Sequence, residues 1–354
     1  MVPSTQRILG FDGLRAVAFL LVFVSHKIPA PATERYGTAA VWLFFVLSGF
    51  LITRILQHSR LEAERRGRSR FSELLNFWKR RSLRIFPVYY GFLAVMSLLS
   101  LEGRADIGTT FRQISNIFFF ANVYIETHGW IGGLGHLWSL SVEEQYYILF
   151  APLALYCPLR RLGYLCAVIL LISVVAQAVL VANRNWPISF DVNSFLNFGL
   201  MAIGGLAGLQ THRALPRLLA GNAAICLNFC AILVAPSLAS SMPSWLEFGR
   251  LTGLPMALLL TQIYQKQDGW PVTLLNAWPL RRLGIISYGA YLFHGAIGIR
   301  GIPEAMSYSA QLPFFAVLIF DLAATIVLAE ASWHLLEMPL CRTVRKNAAA
   351  ARVR

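Results

Sequence analysis

Apolar runs of about twenty residues recur along nearly the whole chain, parted by short polar segments, and each such run has the length of a membrane-crossing helix. They predict spans over 11–30, 38–57, 85–101, 136–157, 162–182, 193–210, 217–236, 247–265, 283–300 and 311–335. A shorter apolar piece, 114–125, is too brief to cross and predicts a re-entrant or interfacial helix. The pattern is that of an all-α, polytopic integral membrane bundle of about 10 transmembrane helices.

The polar segments orient it. Residues 58–84 read "HSRLEAERRGRSRFSELLNFWKRRSLR", with nine Lys/Arg against three Glu, so this segment is expected as a cytoplasmic loop. An even number of spans then puts both termini in the cytoplasm, and "CRTVRKNAAAARVR" adds a basic tail over 341–354. No repeat or low-complexity linker divides the sequence, so one transmembrane domain is expected over 1–354, with its core at 10–340.

Composition agrees. The 354 residues are 56% hydrophobic and only 14% charged, against about 25% charged in a typical soluble domain. That excludes disordered, coiled-coil, collagenous and soluble multidomain classes. A net charge of +14 would suit a nucleic-acid binder, but the basic residues cluster in short segments between spans, as membrane topology requires, so no nucleic-acid partner is expected. The five cysteines are scattered, with no CxxC and no His at ligand spacing; neither a disulfide framework nor a metal site is expected. Arg15 and His26 inside the first apolar run, with no small-residue cleavage site, mark it as a retained span, not a signal peptide.

Ionisable groups inside spans are costly and point to function. In "FDGLRAVAFLLVFVSHK", Arg15 and His26 are eleven residues apart, which returns to within about 20° of one helix face and separates them by about 16 Å. Asp12 lies one turn from Arg15 and is placed to pair with it. In "GHLWSLSVEEQYY", His136, Ser139 and Glu143 share a face, with Glu144 and Gln145 beside them; two adjacent acids here should line a wet cavity or meet a cation. "ISYGAYLFHG" offers Ser287, Tyr288, Tyr291 and His294, a stripe that serves a substrate or merely joins helices by hydrogen bonds. Asp321, Glu330 and Glu337 add acids to the last span. Arg80, Arg81 and Arg84 in "WKRRSLRIFPVYY" make a cluster tighter than positive-inside bias demands and suited to a polyphosphate. No phosphate-binding glycine loop is present, which disfavours a nucleotide-driven pump.

Taken together, these segments resemble the membrane-bound acyltransferase-3 family, bacterial O-acyltransferases of envelope glycans and some secondary metabolites. Arg15 and His26 match its Arg-x10-His first span, and "FFVLSGFLI" (44–52) matches its second-span signature. Arg81 and Arg84 match its Arg-x-x-Arg element. "HLWSLSVEEQYY" is similar to its HxWSLxxEEQFY element, with Tyr146 where Phe is usual; "ISYGAYLFH" and the Glu337–Pro339 segment complete the order.

The resemblance implies a bacterial inner-membrane, multi-pass protein, with acetyl-CoA or another acyl-CoA as cytoplasmic donor and a saccharide hydroxyl outside as acceptor. No permanently bound cofactor is implied. Some family members carry a soluble C-terminal domain, so a separate periplasmic partner is one expectation here. Acyl transfer needs a proton acceptor and stabilisation of a developing oxyanion. The roles that follow are His26 as general base, Glu143 or Glu144 orienting it or balancing Arg15, Arg15 at the thioester, and Arg81 and Arg84 on the CoA phosphates with Arg80 in support. His136 rivals His26 for the acceptor, and Ser139, Tyr288, Tyr291 and His294 are candidate substrate contacts. Direct transfer and an acyl-enzyme relay both stay open, though no Ser stands in a GxSxG setting. Trp130, Trp186 and Trp245 are candidate sugar platforms or interfacial anchors. A secondary transporter or flippase of a polar or anionic solute is the alternative; it would show paired broken helices in matching halves, which this sequence does not.

Overall fold

The computed structural model describes residues 7–28, 30–102, 110–130, 134–182, 192–238, 249–297 and 313–342, and among these every regular element is helical. The helices are α1 (Phe11–Lys27), α2 (Pro31–Arg65), α3 (Arg70–Leu101), α4 (Thr110–Ile117), α5 (Ala121–His128), α6 (Leu137–Tyr156) and α7 (Leu162–Ala182). They continue as α8 (Ser194–Leu209), α9 (Asn222–Leu238), α10 (Gly249–Gln265), α11 (Trp270–Leu275), α12 (Trp278–Ile285), α13 (Ser287–Phe293) and α14 (Phe314–Ser332). Among the described residues, four helical stretches are long and apolar enough to cross a membrane: Thr33–Arg65, Arg70–Leu101, Leu159–Leu180 and Phe314–Arg342; Ser194–Leu209 and Asn222–Ser237 are shorter apolar helices. This is an all-α membrane protein.

The chain divides into two compact units, Met1–Arg70 with Val142–Ile285, and Phe71–Ser141 with Ile286–Arg354. In the first, α2 packs on α1, α8 and α10, and α7 lies on α8. The α2–α8 contact is backbone to backbone. A Cβ on Gly49 would stand 1.9 Å from the Met201 carbonyl oxygen, and one on Gly204 would stand 1.9 Å from that of Val46. Small residues let two helices approach this closely where apolar burial gives little drive between them. The start of α1 is fixed in the same way: Gly10 takes a left-handed φ of 85°, and a Cβ on Gly284 would stand 1.8 Å from the Asp12 carbonyl oxygen.

In the second unit, α13 packs on α14, and α4 and α5 form a short helical pair. Phe119, between α4 and α5, has φ 57°, uncommon for a residue with a side chain. Its ring stacks on Tyr89 at 4.5 Å and on Phe86 at 5.6 Å. The Tyr89 and Tyr90 hydroxyls donate to the carbonyls of Asn116 (2.8 Å) and Ile117 (3.0 Å), satisfying the frayed end of α4.

Several expected boundaries change. Residues 58–84 are not a loop: α2 runs on to Arg65, α3 starts at Arg70, and Gly67 turns between them at φ 62°. Pairs spaced i,i+4, Arg60–Glu64 at 2.9 Å and Glu62–Arg66 at 3.1 Å, support helix through the basic stretch. The expected helix at 114–125 is two helices, because the chain reverses its backbone twist at Phe119. The span expected at 283–300 is broken at Ile286 into α12 and α13, and 298–300 lie outside the described residues. The last span continues past α14 through a π-helical turn, Trp333–Glu337. Trp186 and Trp245 lie outside the described residues; Trp130, after α5, is exposed.

Candidate active site

In the first unit, Asp12 stands in the first turn of α1 between two cations. Arg7 Nε donates to its Oδ2 at 2.5 Å and Arg15 Nη1 to its Oδ1 at 2.9 Å. The expected Asp12–Arg15 pairing is therefore present, with Arg7 added to it. His26 lies in the last turn of α1 and is exposed, next to buried Ser25, whose hydroxyl donates to the Val22 carbonyl at 2.7 Å.

Glu143, on α6, is bound differently from Asp12. The hydroxyls of Ser48 on α2 and Tyr147 on α6 both donate to its Oε1. These contacts join the second-span signature to the EEQYY segment. Glu143 makes no ion pair with Arg15 and no hydrogen bond to His26. Glu144 is buried, while the neighbouring Gln145 accepts from Ser194 at 2.5 Å.

Arg54, to which no role was expected, lies six residues beyond Ser48 on α2. Its Nη2 donates to the Tyr264 hydroxyl at 2.8 Å, and its Nη1 to the Thr211 hydroxyl and, at 3.3 Å, to the Gly208 carbonyl. The guanidinium also lies 4.3 Å from the centre of the Tyr264 ring. All these partners are neutral. Ser48 and Tyr147 were likewise read only as members of motifs. The signal that could have found all three is the same: a polar side chain inside an apolar run.

The second unit holds the other candidates. Arg80 is exposed and donates to the Asn76 carbonyl at 3.0 Å, while Arg81 and Arg84 are half-buried. Among the described residues Arg84 makes no hydrogen bond, and its charge acts on the carboxylate of buried Glu337, whose Oε1 lies 3.5 Å from Ser332 Oγ. Beside Arg84, the Ile85 carbonyl accepts from the Tyr288 hydroxyl at 3.1 Å, fixing α13 against α3.

His136, Ser139, Tyr291 and His294 come together and are all buried. His136 Nε2 lies 3.0 Å from the Leu292 carbonyl, and His294 Nδ1 lies 2.6 Å from that of Tyr291. A carbonyl only accepts, so each of these nitrogens carries hydrogen, and in the neutral rings His136 Nδ1 and His294 Nε2 are the basic nitrogens. The rings meet edge to face at 4.9 Å. Ser139 Oγ and Tyr291 Oη are 2.6 Å apart, and each is 3.2 Å from the His136 carbonyl; with one hydrogen each, one hydroxyl donates to the other and the second to the carbonyl. His294 is fully buried, and His136, Ser139 and Tyr291 are nearly so.

The acyltransferase domain matches residues 8–329, nearly the whole described chain. The chain belongs to the acyltransferase-3 family. Curated relatives of this family member include YrhL of Bacillus subtilis (strain 168), 28% identical over 368 residues that cover 96% of this chain and 56% of the relative. The peptidoglycan O-acetyltransferase OatA of Listeria monocytogenes serovar 1/2a is 27% identical, covering 97% of this chain and 57% of that protein. The O-acetyltransferase OatA of Staphylococcus aureus (strain NCTC 8325 / PS 47) is 25% identical, covering 95% and 58%. This acyltransferase-family chain thus spans a little over half the length of these relatives. No solved structure matches.

Proposed function

We propose that this chain is a bacterial inner-membrane O-acyltransferase that moves an acetyl group from cytoplasmic acetyl-CoA to a saccharide hydroxyl on the outer side. The observation that carries the proposal is the acyltransferase match over residues 8–329, within relatives named O-acetyltransferases. Those names favour peptidoglycan as the acceptor. The proposed topology has ten spans with both ends of the core in the cytoplasm, and a separate extracytoplasmic partner is part of the same proposal.

In this reading the CoA phosphates are gripped by Arg81 and Arg84, with Arg80 in support. Arg84 suits that task because its donors are not spent on another residue among those described. Arg15, tied to Asp12, supplies positive charge for the developing oxyanion. In direct transfer the acceptor oxygen bonds to the thioester carbonyl carbon, the carbon–sulfur bond breaks, and the hydroxyl proton passes through a base to the leaving thiolate. His26 and Glu143 are the two groups proposed for that base.

The test follows labelled acetyl-CoA into envelope glycan in membranes carrying the wild type or Arg84→Ala. Label in glycan with the wild type, and weakened CoA binding in Arg84→Ala, are expected. Absence of labelled product with every acyl-CoA tried would end the acyltransferase reading.

A further inference from the structure

Glu143 differs from Asp12, Glu62 and Glu64 of its unit in how its charge is met. Asp12 lies between Arg7 and Arg15, Glu64 between Arg60 and Arg70, and Glu62 pairs with Arg66. Glu143 has no cation among the described residues. Its two hydrogen bonds both fall on Oε1, from Ser48 and Tyr147. Oε2 accepts none among the described residues, and Glu143 is half-buried, not shut off from accessible space. One oxygen is locked and the other open.

The lock is stiff. Tyr147 is fully buried and lies one turn from Glu143 on the same helix, so its hydroxyl is held beside the carboxylate. Ser48 adjoins Gly49, where α2 touches the α8 backbone too closely for a side chain, so the register of Ser48 is set by helix packing. A carboxylate whose free oxygen faces accessible space, inside an apolar bundle and with no cation, is completed by a neutral hydrogen-bond donor. A sugar hydroxyl is such a donor.

We propose that Glu143 Oε2 accepts the hydrogen of the acceptor hydroxyl and takes its proton during transfer, with Ser48 and Tyr147 as positioning residues. This rests on the acyl-transfer reading and names an acyl thioester as co-reactant. The acceptor oxygen forms its bond to the carbonyl carbon as the O–H bond breaks towards Oε2. The carbon–sulfur bond then breaks, and the proton leaves Glu143 for the thiolate sulfur, so the carboxylate is regenerated. It also gives the second-span signature a chemical task, since its serine fixes the base.

The experiment uses the full chain in membranes, with labelled acetyl-CoA as donor and purified peptidoglycan fragments as acceptor. Glu143→Gln should lower kcat by about 10²–10⁴-fold, the range of a lost general base, with CoA affinity and melting temperature close to wild type. Ser48→Ala should lower kcat roughly tenfold, and Ser48→Thr, which keeps the hydroxyl, should restore most of it; a purely structural serine would be judged by melting temperature instead. Near-wild-type kcat in Glu143→Gln, or loss confined to a His26→Ala control, would overturn the proposal while leaving the acyltransferase reading intact. A wild type that transfers from no acyl thioester to any glycan fraction would overturn both.

Discussion

His136 Nε2 and the Leu292 carbonyl are bound at 3.0 Å, across 156 positions of sequence. The bond fixes the tautomer of a buried imidazole and ties the entry to α6 to the end of α13. His136→Phe keeps the ring, which packs edge to face with Phe92 and Tyr291, but removes the donor and leaves a buried carbonyl unmet. The expected loss is about 1–3 kcal/mol of stability, read as a lower melting temperature in detergent.

The α2–α8 approach gives a sharper expectation. Alanine at Gly49 or Gly204 puts a methyl group 1.9 Å from a backbone carbonyl oxygen, where only backbone movement can relieve the clash. Each variant should lose about 1–3 kcal/mol or more, whereas Gly91→Ala, whose Cβ would meet nothing, should melt like the wild type. Thermal melts of the three side by side check this.

At Phe119 two effects oppose each other. Glycine would relieve a left-handed backbone at a gain of about 1–2 kcal/mol, but removing a buried phenyl ring costs about 3–5 kcal/mol. The stacking on Tyr89 and Phe86 is therefore expected to win, and Phe119→Gly should be net destabilised. A variant more stable than wild type would show that backbone strain dominates there.

Arg84 is expected to act on the donor alone. Arg84→Ala should raise the KM for acetyl-CoA roughly tenfold or more, the worth of a charged hydrogen bond, with the acceptor KM unchanged. Arg84→Lys should recover only part of this, because an ammonium cannot bind phosphate with a planar fork. Steady-state kinetics varying each substrate in turn separate the two.

Arg54→Lys tests a different kind of arginine. Its guanidinium joins Thr211, Gly208 and Tyr264 and lies over the Tyr264 ring, contacts that an ammonium cannot hold together. A fall in melting temperature is expected without a change in donor KM.

The sequence by itself determined the helical, membrane-embedded class, because apolar runs of spanning length with few charges leave no other stable arrangement of backbone hydrogen bonds. It also determined the family, through motifs in order, and the Asp12–Arg15 pairing, which needs only the turn of one helix. What it missed was set partly by local pairings and partly by packing across the chain. The basic segment 58–84 carries the charges of a loop yet forms helix, since i,i+4 ion pairs and the Gly67 turn are local preferences that charge counting ignores. The break at Phe119 depends on rings from α3 meeting it, which no local pattern announces. Only the tertiary structure decided that Glu143 faces Ser48 and Tyr147 instead of Arg15. Helix periodicity fixes which residues share a face, but the depth and register at which two helices meet are set by where their glycines allow backbones to touch.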